Sequence, residues 1–331
     1  MNKIRQYWKE YKWSNVFQMI RNMKQEVKKC EKRADGKFVV ITGATSGIGY
    51  HAAMKFASMG ANLLTINRNK EKSERLKEEI LNKYPVEFDY YISDLSILED
   101  IYRVGEFLNK LDKDIDILIH NAGVYNTKKR ITKDGFEETF VVHFIAPFII
   151  NNMLLEKFNR QGKGRIIFVS SEGYRFAVWG PNLDDLMFKR TKYSGLKAYG
   201  SAKICQILTM HIYAKLLKGP TIIAMHPGMV RSNTGRDNGK LYKIFKKTLD
   251  KLSDSPEISA EALYYLGVSE ELENVTDKFY HLTVEEELTP PARDMEVAVE
   301  LWKKTLELVK FCEVVTCKNE KLLLLEEEFQ V

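Results

Sequence analysis

Phe38-Val39-Val40-Ile41-Thr42-Gly43-Ala44-Thr45-Ser46-Gly47-Ile48-Gly49 carries an apolar strand straight into three glycines. A strand that ends in a glycine-rich turn and opens a helix is a phosphate trap. Gly43 permits the tight turn, Gly47 lets backbone N–H groups approach a pyrophosphate, and Gly49 lets the helix pack closely on the strand. The helix N-terminus then meets the anion with unpaired N–H groups and a partial positive charge.

The same alternation continues outward from this turn. Strand patterns fall at Phe38–Thr42, Asn62–Ile66, Phe88–Ile92, Ile115–His120, Arg165–Ser170, Thr221–His226 and Lys278–His281. Helical patterns lie between or after them at Gly47–Ser58, Lys70–Lys83, Leu98–Leu111, Phe136–Phe158, Ala198–Leu217 and Met295–Val309. Apolar strands alternating with amphipathic helices imply parallel pairing through right-handed crossovers. The expectation is a single α/β domain: a doubly wound, mostly parallel seven-stranded sheet with helices on both faces. Its ligand would sit outside the carboxyl ends of the strands.

Residues 1–36 and 311–331 flank a body at 37–310. The net charge is +6, and residues 1–35, with ten Lys/Arg and four Asp/Glu, account for all of it. A neutral body argues against nucleic acid as a partner. Ile4, Tyr7, Trp8 and Tyr11, then Val16, Ile20, Met23 and Val27, recur at helical spacing opposite a basic face. This arm reads either as an interfacial helix on anionic lipid, with Trp8 and Trp13 at headgroup level, or as a helix packed on the body or a partner. The apolar run near Phe144–Ile150 is short of the ~20 residues that span a bilayer, so no crossing is expected. Cys30, Cys205, Cys312 and Cys317 lack metal-ligand spacing and read as reduced cytosolic thiols. His51, His120, His211, His226 and His281 are scattered over different elements, and no metal is expected. A cytoplasmic protein with peripheral membrane contact through residues 1–36 is the resulting expectation.

Beyond the glycine turn, Ser93-Asp94-Leu95, Asn121-Ala122-Gly123, Ser171, Tyr199 with Lys203, and Pro227-Gly228 follow in an order that resembles the short-chain dehydrogenase/reductase family, in its retinol-dehydrogenase-like branch. The likeness covers residues 37 to about 285. It implies a Rossmann-like fold and a nicotinamide cofactor held by Gly43, Thr45, Ser46, Gly47, Ile48, Gly49, Asn67, Arg68, Asp94, Leu95, Asn121, Ala122, Gly123, Tyr199, Lys203, Pro227, Gly228, Val230 and Ser232. It also implies Ser171, Tyr199 and Lys203 as catalytic residues, and pairing of two chains through the helices at Phe136–Phe158 and Ala198–Leu217. The sequence departs from the family at Phe140-Val141-Val142-His143-Phe144, where His143 stands in place of the usual Asn. His143 is either a replacement in the proton relay or a packing residue.

Tyr-x-x-x-Lys occurs at Tyr125/Lys129, Tyr193/Lys197, Tyr199/Lys203 and Tyr242/Lys246, so context must choose. Tyr199/Lys203 begins a long helical pattern after a strand ending in two serines, and i,i+4 spacing sets both side chains on one helix face. The Lys203 ammonium and the nicotinamide charge would lower the pKa of Tyr199 from its ordinary ~10, so that the phenol exchanges protons with a carbonyl or alcohol oxygen. Ser171 would stabilise charge on that oxygen. Asn67-Arg68 follows the second strand with no acid to repel a 2′-phosphate, and Arg68 can bind one, which favours NADP(H) over NAD(H). Segments 172–198 and 229–255, rich in aromatic residues and Met, would wall a pocket for a small lipophilic carbonyl or alcohol. The alternative is a non-catalytic NADP(H)-binding sensor or scaffold.

Overall fold

Strands buried on both faces can pair only in the interior of a layered fold, and here they do. A computed structural model describes residues 3–11, 21–22, 25–228 and 255–309. The strands are β1 (Phe38–Thr42), β2 (Asn62–Asn67), β3 (Phe88–Ile92), β4 (Ile117–His120), β5 (Arg165–Val169), β6 (Thr221–His226), β7 (Lys278–His281) and β8 (Val284–Glu285). They form one sheet in the order β3-β2-β1-β4-β5-β6-β7-β8, and every pairing but the last is parallel. The expected seven strands are therefore eight. The extra one is two residues long, too short to show periodicity, and folds back on β7 through Leu282 at φ 53°.

The helices are α1 (Lys3–Glu10), α2 (Gly47–Ser58), α3 (Lys70–Lys83), α4 (Leu98–Lys110), α5 (Glu138–Gln161), α6 (Gly195–Leu216), α7 (Pro256–Val268) and α8 (Met295–Leu308). One face of the sheet packs Ala52, Phe56, Leu76, Leu263 and Tyr264 from α2, α3 and α7. The other packs Ile101, Phe144, Phe148, Ile207 and Trp302 from α4, α5, α6 and α8. Trp302 lies edge-on to Phe148 at 4.8 Å and to Tyr213 at 4.9 Å between ring centres, so α8 closes over both long helices. α5 is long and apolar enough to cross a membrane, but 83% of its apolar window is buried inside the protein, as in a core helix. Its second turn widens into a π-helical segment, Val141–Ile145, centred on His143.

The N-terminal arm touches the body where it is described. Tyr7 is buried and donates to Asp294 Oδ2 at 2.6 Å, while Lys3 pairs with Asp294 and Glu296 at 2.8 and 2.7 Å. Asp294 also caps α8 by accepting from the Val297 N–H. Trp13, Val16, Ile20 and Met23, the 229–254 stretch with Val230, Ser232 and Tyr242/Lys246, and residues 310–331 with Cys312 and Cys317 lie outside the described residues.

Candidate active site

The strand order reverses at β1 and β4, which leaves a crevice outside their carboxyl ends. The glycine turn leaves β1 there. Gly43 and Gly47 adopt φ of 72° and 58°, the left-handed region that glycine enters without strain. At Gly47 a Cβ would have nothing within 4 Å, so the backbone is bare toward the cavity. Ser46 precedes α2 without a side-chain cap, and the first N–H groups of the helix stay available to an anion. These are the features a pyrophosphate requires. Gly49 serves packing instead: a Cβ on it would come within 2.2 Å of the Gly43 carbonyl.

The turn is braced from three strands. The Ala44 N–H donates to Asn67 Oδ1 at 2.8 Å, and Asn67 Nδ2 donates to Thr65. The Thr42 hydroxyl accepts from the Asn121 and Ala122 N–H groups, while Asn121 Nδ2 donates to the Thr42 and Gly43 carbonyls at 3.1 and 2.8 Å. Asn67 and Asn121 thus line the cavity with side-chain groups already engaged in shaping the turn.

One cavity of about 730 Å³ runs from this turn to the catalytic residues. Its wall includes Gly43, Thr45, Ser46, Gly47, Ile48, Asn67, Arg68, Asp94, Leu95, Asn121, Ala122, Gly123, His143, Ser171, Tyr199, Lys203, Pro227 and Gly228. Lys72, Tyr125, Arg130 and His226 also line it, and the sequence reading assigned none of them to the site. Arg68 and Lys72 supply positive charge beside the end of β2. Asp94 approaches Arg68 to 4.0 Å, so an acid absent from β2 arrives from the β3 loop; at such exposure the pair is weak.

At the other end, Lys203 donates to the Val169 carbonyl at 2.7 Å and lies 5.7 Å from the centre of the Tyr199 ring. Tyr199 packs edge-on against His143 at 5.2 Å and Tyr125 at 5.8 Å, with the Ser171 hydroxyl close enough to favour its phenolate. Ser171 Oγ accepts from the Gly173 N–H at 3.0 Å. Burial pushes the Tyr199 hydroxyl above its ordinary value, against the lowering effect of the Ser171 hydroxyl. Burial also pulls the Lys203 ammonium down to about 7. The expected acidification of Tyr199 by Lys203 is not met in the protein alone, because desolvation weakens the ammonium that was to provide it.

His143 Nε2 lies 2.7 Å from the Val124 carbonyl and 3.1 Å from the Val124 nitrogen, while its buried Nδ1 has no partner among the described residues. Burial, then the nearby Lys203 charge, holds its pKa well below the usual imidazole range, so the ring is neutral. Tyr193, the competing tyrosine, donates to Glu137 at 3.1 Å and to the Asn126 carbonyl at 3.2 Å in the loop entering α6. The histidines are less scattered than their sequence positions suggest. His226 and His281 lie edge-on at 5.0 Å, and ligand atoms of His281, Glu172 and Glu286 fall within 4.8 Å of one another. Arg175 already supplies a cation to both glutamates.

Residues 37–180 match the family model for short chain dehydrogenase. The chain is 32% identical over 285 residues to human retinol dehydrogenase 13, covering 83% of this chain and 85% of that one. It is 30% identical to human retinol dehydrogenase 14, covering 81% and 84%. Its fold is similar to that of a blue fluorescent protein from a metagenomic library, solved in complex with NADPH, with a TM-score of 0.58, 20% identity and coverage of 75% and 96%.

Proposed function

The chain belongs to the short-chain dehydrogenase/reductase family, in its retinol-dehydrogenase-like branch, and from that premise we propose that it interconverts a carbonyl and an alcohol on a small lipophilic substrate with NADP(H). It is an oxidoreductase acting on CH–OH groups with NAD(P) as acceptor. The observation that carries the finer reading is the meeting of Ser171, Tyr199 and Lys203 in the cavity that begins at the glycine turn.

When bound, the nicotinamide supplies or accepts the hydride. Tyr199 gives its proton to the carbonyl oxygen in reduction and takes one from the alcohol in oxidation. Ser171 hydrogen-bonds the same oxygen, and Lys203 holds the nicotinamide ribose. Because burial favours the neutral phenol, Tyr199 begins as a proton donor. Oxidation needs the phenolate, so its rate should rise with pH, while reduction should fall as the phenol is lost. Arg68 and Lys72 together support NADP(H) over NAD(H) through charge-assisted bonds to a 2′-phosphate.

NADPH consumption over a panel of lipophilic aldehydes and ketones, with NADH in parallel, tests the reading. Tyr199→Phe should lower turnover about a thousandfold while leaving NADPH affinity within about twofold. Equal affinity for NADH would remove the role of Arg68. Binding of NADPH without turnover of any compound would favour the sensor or scaffold.

The same reading takes the enzyme as cytoplasmic and attached at a membrane surface. Ile4, Trp8, Phe176, Val178 and Trp179 are all exposed, and the Trp8 and Trp179 rings stack at 6.3 Å. Arg5 and Lys9 share the helix α1 with Ile4 and Trp8. Trp8→Ala should weaken binding to anionic phosphatidylserine vesicles in a salt-dependent assay; unchanged binding would reject the patch as the contact.

A further inference from the structure

The turn that follows Ser171, residues Glu172–Phe176, is wedged between the catalytic helix and a buried charge cluster. On one side the fit is backbone-tight. A Cβ on Gly173 would come within 2.7 Å of the Tyr199 ring, and one on Gly200 within 2.8 Å of the Gly173 carbonyl. On the other side Arg175 donates to Glu172 and, at 2.6 Å, to Glu286 Oε1 beyond β8. The Glu286 side chain is wholly buried, and its second oxygen accepts from Asn22 Nδ2 at 3.0 Å. Arg175 also lies over the Tyr174 ring at 5.1 Å, and the Tyr174 hydroxyl accepts from the Thr289 N–H.

We propose that Glu172, Arg175 and Glu286 form a buried clamp that sets the position of the Ser171 hydroxyl, with Asn22 tying the clamp to the N-terminal arm. The inference rests on the reading of Ser171 as the group that binds the substrate oxygen. Arg175 is a positioning residue: it does not line the cavity, but it fixes the turn whose Gly173 N–H orients Ser171 Oγ. The guanidinium presents Nε–H to one carboxyl and Nη2–H to the other in one rigid plane, a geometry that the single nitrogen of a lysine does not reproduce.

The clamp contains two acids and one permanent cation. Two carboxylates this close disfavour joint ionisation, and burial adds to the effect. The groups facing them are Arg175 and Tyr174 from the turn, His281 from β7 and His226 from β6, with Lys203 beyond His226. His226 is neutral, its pKa pulled to about 3 by burial. Burial raises Glu172 to about 8 against the lowering charge of Arg175, with Glu286 adding to the rise, so Glu172 holds its proton at neutral pH. Losing that proton leaves a net negative charge behind Ser171, and the turn should loosen as pH rises.

The full-length protein, NADPH and a carbonyl compound reduced by the wild type test the clamp. Arg175→Lys should lower kcat between about tenfold and a hundredfold with KM and NADPH affinity within about twofold, the signature of a misplaced group. Glu172→Gln, which resembles the protonated acid, should move the alkaline fall of kcat to higher pH. An infrared difference spectrum of wild type against Glu172→Gln at neutral pH should contain a protonated-carboxyl stretch. An unchanged kcat in Arg175→Lys, an alkaline limb identical in Glu172→Gln, or no such stretch would overturn the clamp. If the wild type reduces nothing on the panel, the enzymatic reading fails, and the infrared band alone decides whether Glu172 carries a proton beside Arg175 and Glu286.

Discussion

His143 illustrates how one ring can fill a position by shape and hydrogen bonding without carrying a charge. Its Nε2 meets the backbone of Val124, and Gly123 has no room for a side chain, since a Cβ there would come within 2.5 Å of the imidazole. Asparagine can make the same backbone contact with its amide. His143→Asn should therefore keep or raise turnover; a loss beyond about a hundredfold, measured as kcat on any active substrate, would reveal a role for the buried Nδ1. The catalytic residues themselves were legible because Tyr199 and Lys203 are linked by local helical spacing and flanked by recognisable strands. The bracing by Asn67 and Asn121 was not. It depends on contacts with Ala44, Thr42 and Gly43 that only the assembled sheet creates. Lys72 was missed for a related reason: Lys70 stands nearer to Arg68 in the chain, but a further part-turn of α3 brings Lys72 to the cavity.

Among the elements, the glycine turn separates folding from ligand binding. Gly49→Ala drives a methyl into the Gly43 carbonyl and should cost roughly 2–3 kcal/mol, read as a lowered urea midpoint. Gly47→Ala meets no atom but adopts a left-handed φ, so its folding cost should be only about 1–2 kcal/mol. The larger effect should be weakened NADPH binding, because the new methyl enters the anion cradle. Equal nucleotide affinity in Gly47→Ala would mean that the phosphate lies elsewhere. Seven strands and most of the helices were readable from periodicity because each runs long enough to display a face; α7 was not read, because nearly every residue from Ser259 to Val268 is buried and it displays no polar face. The π-helical segment of α5 was not, since one wider turn leaves the apolar pattern around His143 unchanged.

For the whole molecule, the packing of α8 over the two long helices bears on association. From Ala198 to Tyr213 nearly every residue of α6 is buried within one chain, and α5 is buried to a similar degree. The resemblance to paired relatives placed a second copy against these two helices, whereas Trp302 already sits on Phe148 and Tyr213. Trp302→Ala should uncover those rings and destabilise the fold by about 3–5 kcal/mol, with light scattering reporting a rise in molar mass that the wild type does not show. An unaltered mass at the same concentration would argue that the helices stay covered by other means. Among the described residues α8 covers part of this face from within the chain. If α8 takes the place of a second copy there, the melting temperature should hold steady on serial dilution, and a rise with concentration would put a partner back on the face.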